Sequence, residues 1–258
     1  MEKFINIIDK FIEKMKYRDN PSYLGVFFYG SCLTGFNNCD SDIDLHVIFN
    51  DSDKNHIYRG VCYVDGVKIE YFEKYISDIY LSVKNDIKEI NWSWYSIVGK
   101  SYIIDDKQGQ LKKLQEYTLN IYKNIKGIDD EDIYEYISII NNRMEKLKKC
   151  VSEDSPNFYS LFYITVEKIR RFYHSIHGLP KINTSKIYRI YKDDEYRKSY
   201  FPGDFVSDKF KELYFSLIEN NIRNKRQLFK MLEEFYLYVL DNRSLEKEFR
   251  IHIKSRNK

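Results

Sequence analysis

Apolar and polar positions follow two different periods along the chain, and the period changes near residue 107. Before that point, short apolar runs bounded by turn residues predict strands. After it, apolar residues recur every three to four positions, which is the spacing of one face of a helix. The pattern predicts an α+β fold with two domains, a sheet with flanking helices in residues 1–106 and a helical bundle in residues 107–258.

The individual elements follow from the same pattern. Asp65-Gly66 separates two strand-like runs and suits a type I′ turn, so it predicts a hairpin. The predicted elements of the first half are helices over 4–15 and 76–90 and strands over 24–29, 43–49, 61–64, 67–72 and 102–104. Helical stripes of the second half cover 133–147, 158–176, 210–217 and 228–239.

Two carboxylates interrupt the second strand at alternate positions, downstream of a Gly-Ser turn. Asp42 and Asp44 flank Ile43, so their side chains point to the same side of the strand and can converge. Unpaired buried carboxylates are costly, whereas Mg²⁺ binds one or two carboxylates and completes its shell with water and substrate phosphates. The stretch therefore predicts metal-assisted chemistry on a nucleotide.

The same stretch resembles the signature of the polymerase-β-type nucleotidyltransferases, a superfamily that includes the antibiotic nucleotidyltransferases. Gly30-Ser31, a gap of ten residues and the Asp-x-Asp of Asp42 and Asp44 carry the resemblance. It implies a catalytic domain with a mixed β-sheet, in which an acceptor oxygen attacks the α-phosphorus of a nucleoside triphosphate and pyrophosphate leaves. Two Mg²⁺ ions would assist this reaction.

The resemblance also implies roles for individual residues. Asp42 and Asp44 would be metal ligands, and Glu70 would be a third ligand or the general base for the acceptor hydroxyl. Gly30 would let the backbone approach the triphosphate, and Ser31 would hydrogen-bond a phosphate oxygen. The alternative for Glu70 is a surface residue paired with a lysine such as Lys68, which shares its strand face.

Other residues have weaker signals. In antibiotic-modifying relatives, basic residues of the helical domain close over the triphosphate, which makes Lys186 the first candidate and Lys181 the second; solvated lysines are the alternative. His46 is a candidate base or a hydrogen-bonded strand histidine. Trp92 and Trp94 could stack an aromatic ligand or belong to the core.

Composition narrows the classes of function. A net charge of +3 over 258 residues is too small to indicate a nucleic-acid binder. Residues 1–106 carry 12 Lys and Arg against 17 Asp and Glu, and the rest carries 30 against 22. This asymmetry suits a cleft with metal on one wall and phosphates on the other, or it is a chance property of solvated surface.

Cysteine spacing and hydropathy indicate the cellular compartment in which we expect the protein. The four cysteines form no Cys-x-x-Cys pair, which argues against zinc and favours reduced thiols. The N-terminus lacks the apolar segment of a signal peptide, and no apolar run approaches the ~18 residues of a membrane span. We expect a cytoplasmic protein without membrane contact, either a monomer or a homodimer.

Together these observations predict an enzyme that moves a nucleoside monophosphate, AMP from ATP, onto a hydroxyl of a small molecule. An aminoglycoside or lincosamide antibiotic is the expected acceptor, by analogy with the family, which would make the protein a resistance enzyme. Two alternatives stay open at this point. The acceptor could be a protein or a tRNA, as in toxin–antitoxin nucleotidyltransferases, or the chain could bind nucleotides without catalysis.

Overall fold

The computed structural model describes residues 1–38, 41–52, 58–201, 205–219, 221–222 and 224–241. By packing, the chain divides into two compact units, one from Met1–Ile125 and Ile182–Gly203, the other from Lys126–Lys181 and Asp204–Lys258. Segments 107–125 and 182–201, which the sequence pattern placed in the helical half, thus pack with the first unit. The predicted domain boundary after residue 106 was defined by period rather than packing, and it stays a prediction.

The first unit is built on a mixed sheet, as predicted. Its strands are β1 (Tyr23–Tyr29), β2 (Ile43–Phe49), β3 (Arg59–Val64), β4 (Val67–Tyr75) and β5 (Tyr102–Asp106). Among the described residues they form one five-stranded sheet in the order β3-β4-β2-β1-β5. β2 and β4 run parallel, and the other neighbouring strands run antiparallel.

Helices account for most of the remaining described chain. In chain order they are α1 (Glu2–Lys14), α2 (Ser31–Thr34), α3 (Ile76–Lys88), α4 (Gln110–Tyr122), α5 (Asp130–Ser152), α6 (Phe158–Ile176), α7 (Thr184–Lys192), α8 (Asp194–Tyr200), α9 (Asp208–Ile218) and α10 (Lys225–Asp241). Single turns occur at Tyr17–Asp19, Tyr95–Gly99 and Lys107–Gly109. In the part of the chain that the structure describes, no helix combines the length and the apolar character needed to cross a bilayer.

Helices cover both faces of the sheet. On one face, Phe28 of β1 shares a core with Phe11 of α1. On the other, Phe27 shares a core with Val83 of α3 and Leu111 of α4. Burial on both sides explains why β1 is a continuous apolar run, and each fully buried large side chain contributes roughly 1.5–3 kcal/mol.

The predicted hairpin between β3 and β4 is confirmed. Asp65 and Gly66 both adopt positive φ, 50° and 78°, as a type I′ turn requires. The turn fixes the register, in which Val64 pairs with Val67 and Val61 pairs with Glu70. Local turn chemistry therefore decides which residues of β3 lie beside Glu70.

The second unit is helical, and the predicted stripes are its buried faces. Asp129 accepts a hydrogen bond from the Asp132 amide and caps α5, and Ser207 caps α9 by accepting from the Phe210 amide. The buried positions include Ile133, Ile137, Ile140, Met144 and Leu147 of α5, Phe158, Phe162, Ile169 and Phe172 of α6, Phe210 and Leu217 of α9, and Leu228, Leu232, Phe235 and Val239 of α10.

Candidate active site

Three carboxylates converge on one face of the sheet. Asp42, Asp44 and Glu70 each offer an oxygen, and these oxygens lie within 4.8 Å of one another. The convergence follows from strand pairing, because Asp44 of β2 lies opposite Glu70 of β4 in the parallel register. Asp42 immediately precedes β2 and points to the same side as Asp44. The structure thus brings together the three acidic residues that the sequence singled out.

Gly30 lies directly against Asp44. Its φ is +86°, and a Cβ built at this position would lie 2.1 Å from the Oδ2 atom of Asp44. A side chain here is excluded twice, by backbone conformation and by collision with the carboxylate. Glycine is therefore required here because any side chain would collide with Asp44. The approach of the Gly30 backbone to a triphosphate stays a prediction.

The turn after Gly30 contacts the backbone of Asp42. Ser31 starts α2 and is half-buried. The thiol of Cys32 donates a hydrogen bond to the Asp42 carbonyl oxygen at 3.1 Å. Burial, followed by the charges of Asp44 and Asp42, raises the pKa of this thiol and keeps it protonated as a donor. The sequence offered no signal for this contact, because Cys32 matched no motif.

Burial and two neighbouring carboxylates disfavour the ionised form of Asp44. Burial, followed by the charges of Asp42 and Glu70, raises the pKa of Asp44 to about 6, although Lys186 and Lys68 oppose the rise. A raised pKa means that the ionised carboxylate is disfavoured in the folded chain. A cation bound among the three oxygens would remove that penalty.

Two exposed basic side chains form ion pairs with Asp42 and Glu70. Nζ of Lys68 donates to Oδ2 of Asp42 at 2.9 Å, and Nη2 of Arg59 donates to Oε1 of Glu70 at 2.7 Å. The guanidinium of Arg59 also lies 4.8 Å from the ring centroid of Phe72. Glu70 therefore pairs with Arg59 and not with Lys68, which corrects the lysine partner considered from sequence.

The two predicted lysines lie in different units. Lys186 is an exposed residue of α7, in the first unit, and its Nζ lies 5.8 Å from the centroid of the Tyr200 ring. The hydroxyl of Tyr200 lies 3.5 Å from Oγ1 of Thr34, in the turn that follows Gly30. Lys181 is exposed and belongs to the second unit.

His46 lies two residues beyond Asp44 in an aromatic cluster. Its ring stacks on Phe72 with centroids 5.2 Å apart and meets the edge of Trp94 at 5.4 Å. Burial lowers the pKa of His46 to about 3, so the ring is neutral. Trp92 packs on Tyr95 and Tyr122, as expected for a core residue.

The donor set fits a hard divalent cation. Carboxylate oxygens are the preferred ligands of Mg²⁺, and three of them converge here from β2, its preceding loop and β4. The raised pKa of Asp44, caused first by burial and then by the charges of Asp42 and Glu70, means that a bound cation would favour its ionised form. Asp42, Asp44 and Glu70 are therefore the residues that could hold a metal.

Comparisons with known proteins address the family and the fold. A family model described as a nucleotidyltransferase domain matches residues 8–156, a range that includes Gly30, Ser31 and all three carboxylates. The fold is similar to the crystal structure of a nucleotidyltransferase-like protein from Exiguobacterium sibiricum 255-15, with a TM-score of 0.52 and 11% sequence identity over 99% of this chain and 80% of that one. A search of curated proteins found no match.

The family match covers more than half of the chain, and the fold comparison agrees with it. The resemblance drawn from Gly30-Ser31 and the Asp-x-Asp motif is thereby confirmed at the level of the family. The chain belongs to the polymerase-β-type nucleotidyltransferase family and is a transferase enzyme.

Proposed function

We propose that this enzyme transfers a nucleoside monophosphate, AMP from ATP, to a hydroxyl group of a small molecule. The observation that carries the proposal is the convergence of Asp42, Asp44 and Glu70 within 4.8 Å, beside the Gly30-Ser31 turn. In the reaction a bond forms between the acceptor oxygen and the α-phosphorus. The bond from that phosphorus to the bridging oxygen breaks, and pyrophosphate leaves.

The residues around Gly30 bind the triphosphate in this proposal. The hydroxyl of Ser31 donates to a phosphate oxygen, and Lys186 supplies a positive charge from α7. The electrostatic effect of Lys186 on Asp44 supports its placement, because solvent largely screens an exposed charge farther away than about 10 Å. Lys181 is the other basic residue proposed to contact the triphosphate.

The carboxylates hold the metal and handle the proton. Two Mg²⁺ ions, when bound, supply positive charge that stabilises the attacking and leaving oxygens. Asp42 and Asp44 are the ligands, and Glu70 either completes the ligand set or accepts the proton of the acceptor hydroxyl. The ion pair with Arg59, at 2.7 Å, holds the Glu70 carboxylate beside the other two.

For the acceptor we propose an antibiotic of the aminoglycoside or lincosamide type, and the protein would act as a monomer or a homodimer. Family membership and the order of an α/β unit followed by helices support this class. Modification of a protein or tRNA is the second candidate function.

The test is pyrophosphate release from ATP and Mg²⁺ with a panel of aminoglycosides and lincosamides, with products identified by mass spectrometry. We expect a product heavier by one nucleotidyl group, lost in Asp44→Asn and kept in the control Asp65→Asn, because Asn-Gly also suits the hairpin turn. Lys186→Gln and Lys181→Gln compare the two lysines through the KM for ATP. No product with any antibiotic, together with labelling of macromolecules by radioactive ATP in a lysate, would favour the second candidate.

A further inference from the structure

The sheet edge beyond Glu70 carries exposed apolar and basic side chains. In the β3–β4 register Arg59 lies opposite Phe72, Val61 opposite Glu70, and Tyr63 opposite Lys68. Opposite residues of paired strands share a face, so Arg59, Val61, Tyr63 and Lys68 lie on the carboxylate face of the sheet. We call these four residues the β3 patch.

The apolar side chains of the β3 patch are exposed to solvent, although the other face of β3 packs against the core. Val61 is 53% exposed and Tyr63 is 63% exposed. The alternate residue Cys62 packs against the core on the opposite face. Single exposed apolar residues are ordinary, but here two of them adjoin a cluster of three carboxylates on one face.

The direction of the reaction places the acceptor on this side. In the proposed function the triphosphate lies at the Gly30-Ser31 turn, at the end of β1. Attacking and leaving oxygens are roughly in line across the α-phosphorus, so the acceptor approaches from the side opposite the leaving pyrophosphate. In the order β3-β4-β2-β1-β5, that side is β4 and then β3.

The dimensions suit a ring-sized acceptor. Neighbouring strands lie about 4.7–4.9 Å apart, so Val61 lies one strand spacing beyond Glu70. A molecule whose hydroxyl reaches Glu70 therefore extends over Val61 and Tyr63. A sugar or aromatic ring spans this distance and covers the apolar part of the patch.

Charge then restricts the acceptor. Lys68 and Arg59 each pair with one carboxylate, and cations bound by those carboxylates would compete for the same oxygens. The two side chains are 41% and 70% exposed, so they are free to turn toward a molecule lying on the patch. An acceptor with several amino groups meets like charge there, whereas a neutral or anionic acceptor does not.

We propose that the β3 patch binds the acceptor, and that the acceptor is a hydroxyl compound with an apolar or aromatic portion and no positive charge near the reacting hydroxyl. This inference rests on the proposed function and narrows it. Between the two antibiotic types considered above, it disfavours the polycationic aminoglycosides.

The experiment compares three probes that share a scaffold and differ in charge: the 4-nitrophenyl glycosides of glucose (neutral), glucuronic acid (anionic) and glucosamine (cationic). Their affinity for the full chain is measured by equilibrium dialysis with Mg²⁺ and α,β-methylene-ATP, which cannot release pyrophosphate. We expect the glucosaminide to bind about tenfold more weakly than the other two.

Variants assign the binding to the patch. Tyr63→Ser is expected to weaken all three glycosides about fivefold through loss of ring contact, whereas Tyr102→Ser, an exposed tyrosine of β5 at the other sheet edge, leaves them unchanged. Arg59→Gln combined with Lys68→Gln is expected to abolish the discrimination against the cation. Lys10→Gln, which removes an exposed lysine paired with Asp65, is the charge control.

The outcomes separate this inference from the proposed function. Failure of α,β-methylene-ATP to bind in the presence of Mg²⁺ overturns both. If the nucleotide binds but no glycoside does, or the glucosaminide binds tightest, or Tyr63→Ser behaves like Tyr102→Ser, the β3 patch is not the acceptor site and only this inference falls.

Discussion

Strand β4 carries two glutamates three residues apart, and they lie on opposite faces of the same sheet. Glu73 is 7% exposed, on the α1 face; it accepts a hydrogen bond from the Tyr17 hydroxyl at 2.7 Å and another from the Tyr58 amide at 3.3 Å. Glu70 lies beside two further carboxylates, and its cationic partner Arg59 is 70% exposed.

The comparison shows what distinguishes a structural carboxylate from one available for function. Glu73 accepts its hydrogen bonds from neutral donors within the fold. Burial, followed by the hydrogen bond to Glu73, raises the pKa of Tyr17 above its usual range, so the Tyr17 hydroxyl stays a donor. Glu70 belongs to a cluster whose like charges oppose one another and whose counter-ions lie in solvent. A bound cation would stabilise such a cluster, whereas Glu73 already has its hydrogen-bond partners within the fold.

The largest expected effect comes from exchanging each glutamate for glutamine. We expect Glu70→Gln to lower kcat/KM for nucleotidyl transfer about 10³-fold with little loss of stability, because it removes a ligand or proton acceptor. Glu73→Gln should keep transfer within a few-fold and lower the free energy of unfolding by about 1–3 kcal/mol, because a buried hydrogen bond is altered. Pyrophosphate release and thermal denaturation measure the two effects, and the reverse pattern would contradict the comparison.

The next effect concerns the glycine that makes room for Asp44. We expect Gly30→Ala to lower kcat/KM about 10²-fold, because the methyl group displaces the Asp44 carboxylate from its position. Gly35→Ala is the matched control, since Gly35 also has positive φ, +78°, but open space around its Cβ position. It should cost only about 1 kcal/mol of stability, with activity kept. Equal loss of activity in both variants would show that backbone strain and not the collision matters.

A smaller effect is expected from pH. A metal binds the ionised form of Asp44, so protons compete with it as the pH falls through the pKa of about 6. Between pH 6 and pH 5 we expect the affinity for Mg²⁺ to fall by up to about tenfold, measured by calorimetric titration. Glu73→Gln should show the same pH dependence. An affinity that is constant from pH 5 to pH 7 would refute the assignment of Asp44 as a ligand.

The smallest effect is on stability without metal. The pKa of Asp44 is about 6 in the folded chain and ~3.9 when unfolded, so its favourable contribution is present below about pH 4 and is lost as the pH rises through 6. Asp44→Asn should therefore stabilise the metal-free protein at pH 7 by about 1 kcal/mol, since solvent screens part of the repulsion, and the gain should vanish at pH 4.

Asp105 has a lowered pKa, so its substitution should change the pH dependence of stability in the opposite direction from that of Asp44. Burial alone would raise its pKa, but hydrogen bonds from Arg18 and Tyr23, at 2.9 and 2.8 Å, lower it below the usual range. Its contribution is therefore present at neutral pH and lost as the pH falls through the lowered pKa. Asp105→Asn should destabilise the protein at pH 7, and a shift of the same sign in both variants would contradict the electrostatic account.

Much of the fold and part of the candidate site could be predicted from the sequence. The bounds of β2, the Asp65-Gly66 turn and the alternation of Asp42 with Asp44 depend on neighbours within a few residues, and all were predicted. The contact of Cys32 with the Asp42 carbonyl and the pairing of Arg59 with Glu70 were not, because each joins residues from different elements.

The sequence by itself determined which residues share a strand face and where chain reversals occur, because period and turn chemistry are local properties. Only the tertiary structure decided that β4 pairs in parallel with β2, so that Glu70 faces Asp44, and that α7 and α8 pack with the first unit. Such pairings are set by the burial of side chains far apart in the chain, and no local pattern encodes which strand becomes the neighbour of another.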